Sequence, residues 1–67
     1  MLIRMCNTDD FSVTLALDID DGAELINLIV KTVWHGKNRT IDFKVFGANE
    51  YKEALAYYKK QERMFCK

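Results

Sequence analysis

Residues 11–19 read Phe-Ser-Val-Thr-Leu-Ala-Leu-Asp-Ile. Phe11, Val13, Leu15, Leu17 and Ile19 alternate without a break with Ser12, Thr14, Ala16 and Asp18. Side chains of an extended chain point in turn to its two faces, so a period of two marks a strand with one buried side. A strand must pair, and the flanking segments supply candidates. Met1–Cys6 reads as a strand before it, with Asn7-Thr8-Asp9-Asp10 as the turn.

Residues 24–35 are apolar on both parities. Ile26, Leu28, Val30, Thr32 and Trp34 form one side of a strand there, and Leu25, Asn27, Ile29, Lys31 and Val33 the other. The β-branched residues Ile26, Ile29, Val30, Thr32 and Val33 favour the strand. A helix over residues 22–34, in a ββαβα-like arrangement, is the alternative, because Ile26, Ile29, Val30 and Val33 also fit a helical period. The polar loop His35-Gly36-Lys37-Asn38 and the renewed alternation Ile41, Phe43, Val45 complete a hairpin, which supports the strand.

Gly47 ends that run. Asn49 is a candidate cap, and Glu50 and Glu53 suit the positive end of a helix macrodipole. Residues 50–65 are rich in strong helix formers, with Lys59, Lys60, Arg63 and Lys67 toward the C-terminus. Tyr51, Ala54, Leu55, Tyr58 and Phe65 share one stripe; Lys52, Ala56, Lys59, Lys60, Arg63 and Lys67 share another; Tyr57 and Met64 lie on a third. Glu62 falls in the apolar stripe, at a rim or against a base.

The expected fold is α+β: a single domain over residues 1–67, with a four-stranded antiparallel β-meander and one C-terminal α-helix packed on one face. The expected core is Phe11, Val13, Leu15, Leu17, Ile26, Leu28, Val30, Trp34, Ile41, Phe43, Val45, Leu55, Tyr58 and Phe65. One helix covers one face, which leaves Ala16, Ile29, Val33 and Phe46 on the open one. A chain of 67 residues buries a small share of its surface, and small domains commonly gain stability from disulfides, metals or self-association.

The two cysteines, Cys6 and Cys66, have no zinc spacing, and without a secretory leader they are expected as reduced thiols in a cytoplasmic protein. No apolar run is long enough for a membrane helix. Asp18-Ile-Asp20-Asp21-Gly22-Ala-Glu24 misses the EF-hand pattern in the place of its glycine and its last ligand, and reads as a turn. His35 is the only histidine, and the chain has no complete catalytic set. No cofactor or metal is expected, and no enzyme.

Charge is the remaining clue. The net charge is zero, yet residues 1–30 carry one base and six acids while residues 31–67 carry nine bases and four acids. Such a dipolar chain offers partners two unlike surfaces. The expected function is non-catalytic protein binding, as a homodimer, through Tyr57, Met64, Lys60 and Arg63 on the helix and Ile29, Val33 and Phe46 on the open face. The alternative is a nucleic-acid-binding module using Lys31, Lys37, Arg39, Lys59 and Arg63. A third is small-ligand sequestration at a subunit interface. In size and build alone the chain resembles the short single-domain proteins common in phages and mobile elements, which implies an inhibitor or adaptor.

Overall fold

A computed structural model describes residues 1–66. Lys67, placed on the basic stripe by its spacing, lies outside the described residues. Four strands, β1 (Leu2–Asn7), β2 (Phe11–Ile19), β3 (Leu25–His35) and β4 (Asn38–Gly47), are followed by a 3-10 turn at Ala48–Glu50 and one helix, α1 (Tyr51–Phe65). The strands form one antiparallel sheet in the order β1-β2-β3-β4. No helix among the described residues is long and apolar enough to cross a membrane. Residues 25–35 are a strand, so the helical alternative for that segment does not hold.

Local chemistry sets each connection. In the acidic loop Asp20 Oδ1 accepts hydrogen bonds from the backbone N–H of Gly22 and of Glu24, both at 2.9 Å, which folds the chain back through Ala23 at φ 61°. That carboxylate serves the turn, in the manner of an Asx turn. Between β3 and β4 the two-residue connection Gly36-Lys37 starts with Gly36 at φ 65°, as in a type II′ hairpin turn. After β4, the Glu50 carboxylate accepts the Gly47 N–H at 2.9 Å, while α1 begins without the Asn49 side-chain cap expected of it.

Helix α1 lies on the side of the sheet that carries Phe11, Val13 and Leu15, as the alternation of β2 requires. Those three residues pack with Ile29, Ala54 and Tyr58 into a buried core. Leu17 and Leu55 are half-buried at its margin. Phe65 stacks on Phe11 at 4.4 Å between ring centroids, and Tyr57 tilts against Phe46 at 6.0 Å. Burial of a side chain of this size contributes roughly 1.5–3 kcal/mol, so these few residues carry most of the packing.

The faces of β3 and β4 are the reverse of the sequence expectation. Residues paired across a sheet share a face. The register aligns Phe11 with Val33, Val13 with Lys31 and Leu15 with Ile29, and then Ile29 with Lys44 and Asn27 with Phe46. The helix side of β3 is therefore Asn27, Ile29, Lys31 and Val33, and that of β4 is Thr40, Asp42, Lys44 and Phe46. Ile29 is buried, and Val33 and Phe46 are half-buried against the core. They do not line the open face. Ile26, Leu28, Val30, Trp34, Ile41, Phe43 and Val45, expected in the core, lie on the other side. The physical reason is parity: a one-residue change of register exchanges every side chain between faces, and β3 is apolar on both. Leu28 and Val30 do share a face with Phe43 and Val45, but it is not the core face of β2.

The cysteines also depart from expectation, since Cys6 and Cys66 are joined in a disulfide. Cys6 pairs with Val13 and so lies on the helix side of β1, where the end of α1 arrives. A bulge at Ile3 turns both Ile3 and Arg4 toward the helix. There the Arg4 guanidinium meets Glu62 at 3.5 Å, so the acid inside the apolar stripe does find a base.

Candidate protein interface

The uncovered side of the sheet is built around two apolar cross-strand pairs and a third that sets an isoleucine against a threonine. Val45 lies across from Leu28, Phe43 from Val30 and Ile41 from Thr32. On the other flank Leu28 meets Ala16 and Val30 meets Thr14, with Leu2 and Met5 of β1 beyond. Exposure rises toward the β4 margin: Leu28 and Val30 are half-buried, whereas Phe43 is 67% exposed, Val45 55% and Ile41 41%. Among the described residues, the only ionisable side chains on the strands of this side are Asp18 and Arg39, at opposite ends.

Size is the second property of this face. The two long extents of the molecule, 36 and 23 Å, set the outer bound of this face. Contiguous exposed apolar side chains such as Ile41, Phe43 and Val45 are the kind of surface that marks interaction sites on small proteins.

The helix residues expected to bind protein lie elsewhere. Met64, Lys60 and Arg63 are exposed on the outer surface of α1. Tyr57 is half-buried beside Phe46, with the Lys44 ammonium 5.8 Å from its ring centroid. These residues are not on the face that carries Phe43. The basic residues of the nucleic-acid alternative are divided as well. Lys31 is half-buried on the helix side of β3, Lys37 is in the hairpin turn, Arg39 is on the open side, and Lys59 and Arg63 are on the outside of α1. The sheet separates Lys31 from Arg39.

Beneath the helix, two polar side chains are buried with an atom left unpaired. Asn27 donates from Nδ2 to the Gly47 carbonyl at 2.8 Å, tying the end of β4 to β3, while its Oδ1 has no protein partner. Tyr58 is fully buried and its hydroxyl is unpartnered. Burial pushes the Tyr58 phenol up to about 12, the neighbouring Glu62 adds to the rise, and Arg4 opposes it. A phenol held neutral in this way has a packing role and offers no base or nucleophile near neutral pH. Among the described residues there is no cavity and no cluster of potential metal ligands.

The sequence pattern assigns Phe43, Val45, Ile41, Leu28, Val30 and Trp34 to a core, and their role as a second apolar face is not visible in it. The signal was available in part. A two-residue turn closed by His35 and Asn38 places Phe43 opposite Val30 and Lys44 opposite Ile29, so β4 can put only one of those two sets under a helix. No protein-family model, no curated protein and no solved structure matches the chain.

Proposed function

We propose that the protein is a non-catalytic protein-binding module that works as a homodimer, with the β4 side of the open sheet face as its contact and a second copy of the chain as the occupant. The observation that carries this reading is the side chain of Phe43, two-thirds exposed at the centre of an uncharged apolar row with Ile41 and Val45. A sheet side of this composition lowers its free energy by leaving water, at roughly 25 cal/mol per Å² of apolar area. The same chain offers an identical face, so self-association is the available route, and twofold dimers are the commonest outcome.

The division of Lys31, Arg39 and the helix bases among different surfaces supports protein binding over nucleic-acid binding, which gains from a single basic stripe. Light scattering tests the reading. The wild-type chain is expected at twice the chain mass at micromolar concentration, and Phe43→Asp at the mass of one chain with its circular dichroism unchanged. A wild type that stays monomeric at high concentration refutes it.

A further inference from the structure

The manner in which the second copy docks follows from the β4 edge, and it rests on the homodimer reading above. The two free edges of the sheet differ. β1 is six residues long, carries the bulge at Ile3 and is tied down by the disulfide at Cys6. Such devices blunt an edge against pairing. β4 is ten residues long and pairs with β3 from end to end without irregularity, and the chain has no proline.

The hairpin turn fixes which backbone groups of β4 are free. Across a two-residue turn the flanking residues, His35 and Asn38, form a hydrogen-bonded pair, and bonded and non-bonded pairs alternate from there. Thr40, Asp42, Lys44 and Phe46 therefore direct their backbone groups to β3. The N–H and C=O groups of Arg39, Ile41, Phe43 and Val45 point outward. These are the residues whose side chains stand on the apolar side.

We infer that two copies join edge to edge, β4 against β4 and antiparallel, with Phe43 opposite the partner copy's Phe43, so that the sheets of both copies become one continuous sheet. Three features agree with that register, and the spacing of Asp42 and Lys44 selects it over its neighbours. Ile41 then faces Val45, and Val45 faces Ile41, which extends the apolar row across the junction. Asp42 faces Lys44 on the helix side, twice by symmetry, and opposite charges across a strand pair stabilise it. The outward backbone groups of residues 41, 43 and 45 meet those of 45, 43 and 41, so hydrogen-bonding parity is satisfied. A shift by two residues one way sets Asp42 against Asp42, and the other way sets Lys44 against Lys44. Both neighbouring registers thus put like charges on the dyad, where they repel. Face-to-face stacking would cover more of the apolar side, Leu28 and Val30 included, whereas edge pairing shields Ile41, Phe43 and Val45 only against their counterparts; stacking, however, leaves the β4 backbone open and draws nothing from the spacing of Asp42 and Lys44, which lie on the opposite side of the sheet.

Charge reversal tests the inference. Asp42→Lys sets two lysines against each other across the junction, and Lys44→Asp sets two aspartates; each variant is expected to weaken dimerisation roughly tenfold or more. The double variant Asp42→Lys/Lys44→Asp restores both attractive pairs and is expected to return the dissociation constant to near the wild-type value. Asp42 also faces Lys31 within the chain, and Lys44 lies over the rings of Phe46 and Tyr57, so a thermal melt accompanies each variant and a second measurement is independent of these charges. Phe43→Cys, under mild oxidation, is expected to form a covalent dimer, because paired antiparallel residues lie within disulfide reach. Val45→Cys is not, since its own symmetry mate lies four residues along the strand, about 13 Å away.

A dimer indifferent to both charge reversals, or one in which Val45→Cys cross-links and Phe43→Cys does not, overturns the edge-to-edge arrangement and leaves the homodimer reading standing. A monomeric wild type overturns both.

Discussion

The Cys6–Cys66 bridge makes the sharpest prediction about stability. Its sequence separation is 60, so it closes nearly the whole chain into one loop. In the chain-entropy picture a loop of that length constrains the unfolded state by about 4 kcal/mol. A domain of 67 residues has a total stability of roughly 3–10 kcal/mol at the usual 0.05–0.15 per residue. The bridge is thus of the same order as the whole. Its loss acts locally too, because the last turn of α1 brings Phe65 onto Phe11 at 4.4 Å next to the bridge. The N-terminal half of α1 stays anchored by Ala54 and Tyr58 in the core. The perturbation is Cys66→Ser, with reduction of the wild type as an independent route to the same state. The assay is urea unfolding followed by circular dichroism at one fixed chain concentration, since the proposed self-association would make apparent stability concentration-dependent. With a urea slope of about 1 kcal/mol per molar for a domain this small, the midpoint should fall by several molar, and the variant should be partly unfolded without denaturant. An unchanged midpoint in both Cys66→Ser and the reduced protein would refute the reasoning. In a reducing compartment, where thiols are kept open, the same arithmetic leaves the small core around Leu15, Ile29 and Tyr58 to hold the fold alone.

Two further predictions concern the buried polar groups. The folded pKa of Tyr58 lies at about 12 against an ordinary 10, so between those values the unfolded chain releases a proton that the native one keeps; stability should be intact below pH 10 and fall by on the order of 2 kcal/mol as pH rises to 12. Unfolding free energies measured against pH check this: Tyr58→Phe should lose that slope while changing stability little at pH 7, because the hydroxyl is unpartnered, and a full slope in the variant would assign it to another group. Asn27→Asp replaces the donor to the Gly47 carbonyl with an acceptor and buries a charge, at a cost of ~3 kcal/mol near neutral pH. Protonation of the new carboxyl should shrink that deficit as pH falls, and a deficit independent of pH would count against the account.

The strands and the helix were legible because each has a period that the chain shows directly. β2 alternates without exception from Phe11 to Ile19, and α1 has one apolar stripe through Ala54, Leu55 and Tyr58. What was not legible depends on long-range register. Every residue of β3 from Leu28 to Val30 is apolar, so nothing local says whether Ile29 or its neighbours face the helix. That choice is made by the pairing of Leu15 with Ile29, across a loop whose turn is shaped by Asp20 and Ala23. Asn27, polar yet buried, was hidden for the same reason, whereas the burial of Gln61 follows from its place on the Ala54–Tyr58 stripe of α1. The disulfide was invisible because it needs Cys6 of β1 and Cys66 after α1, at a sequence separation of 60, to meet in space. The candidate site suffered most. The alternation of Ile41, Phe43 and Val45 marks residues that gain by leaving water, but nothing in that alternation says that their own helix leaves them uncovered.

The chain has two apolar sheet sides and one helix, and that mismatch is the physical basis of the functional reading. If the open side only met solvent, threonine would serve at positions 41, 43 and 45 as well as isoleucine, phenylalanine and valine, since it has good strand propensity and no large apolar area. The covered side shows the contrast within one strand. Thr40, Asp42 and Lys44 lie on the helix side of β4, beyond the reach of the core, and only Phe46 turns inward there. β4 thus keeps its polar residues toward its own helix and its apolar residues away from it, opposite to the pattern of a margin strand that serves a single-chain core. Such a strand offers little to the core of its own chain, and that is the ground of the proposed contact. In the proposed dimer the alternation of Asp42 and Lys44 around Phe43 supplies what an apolar row lacks, a choice of register: the apolar side would drive association, and the charges on the opposite side would decide how the two copies align.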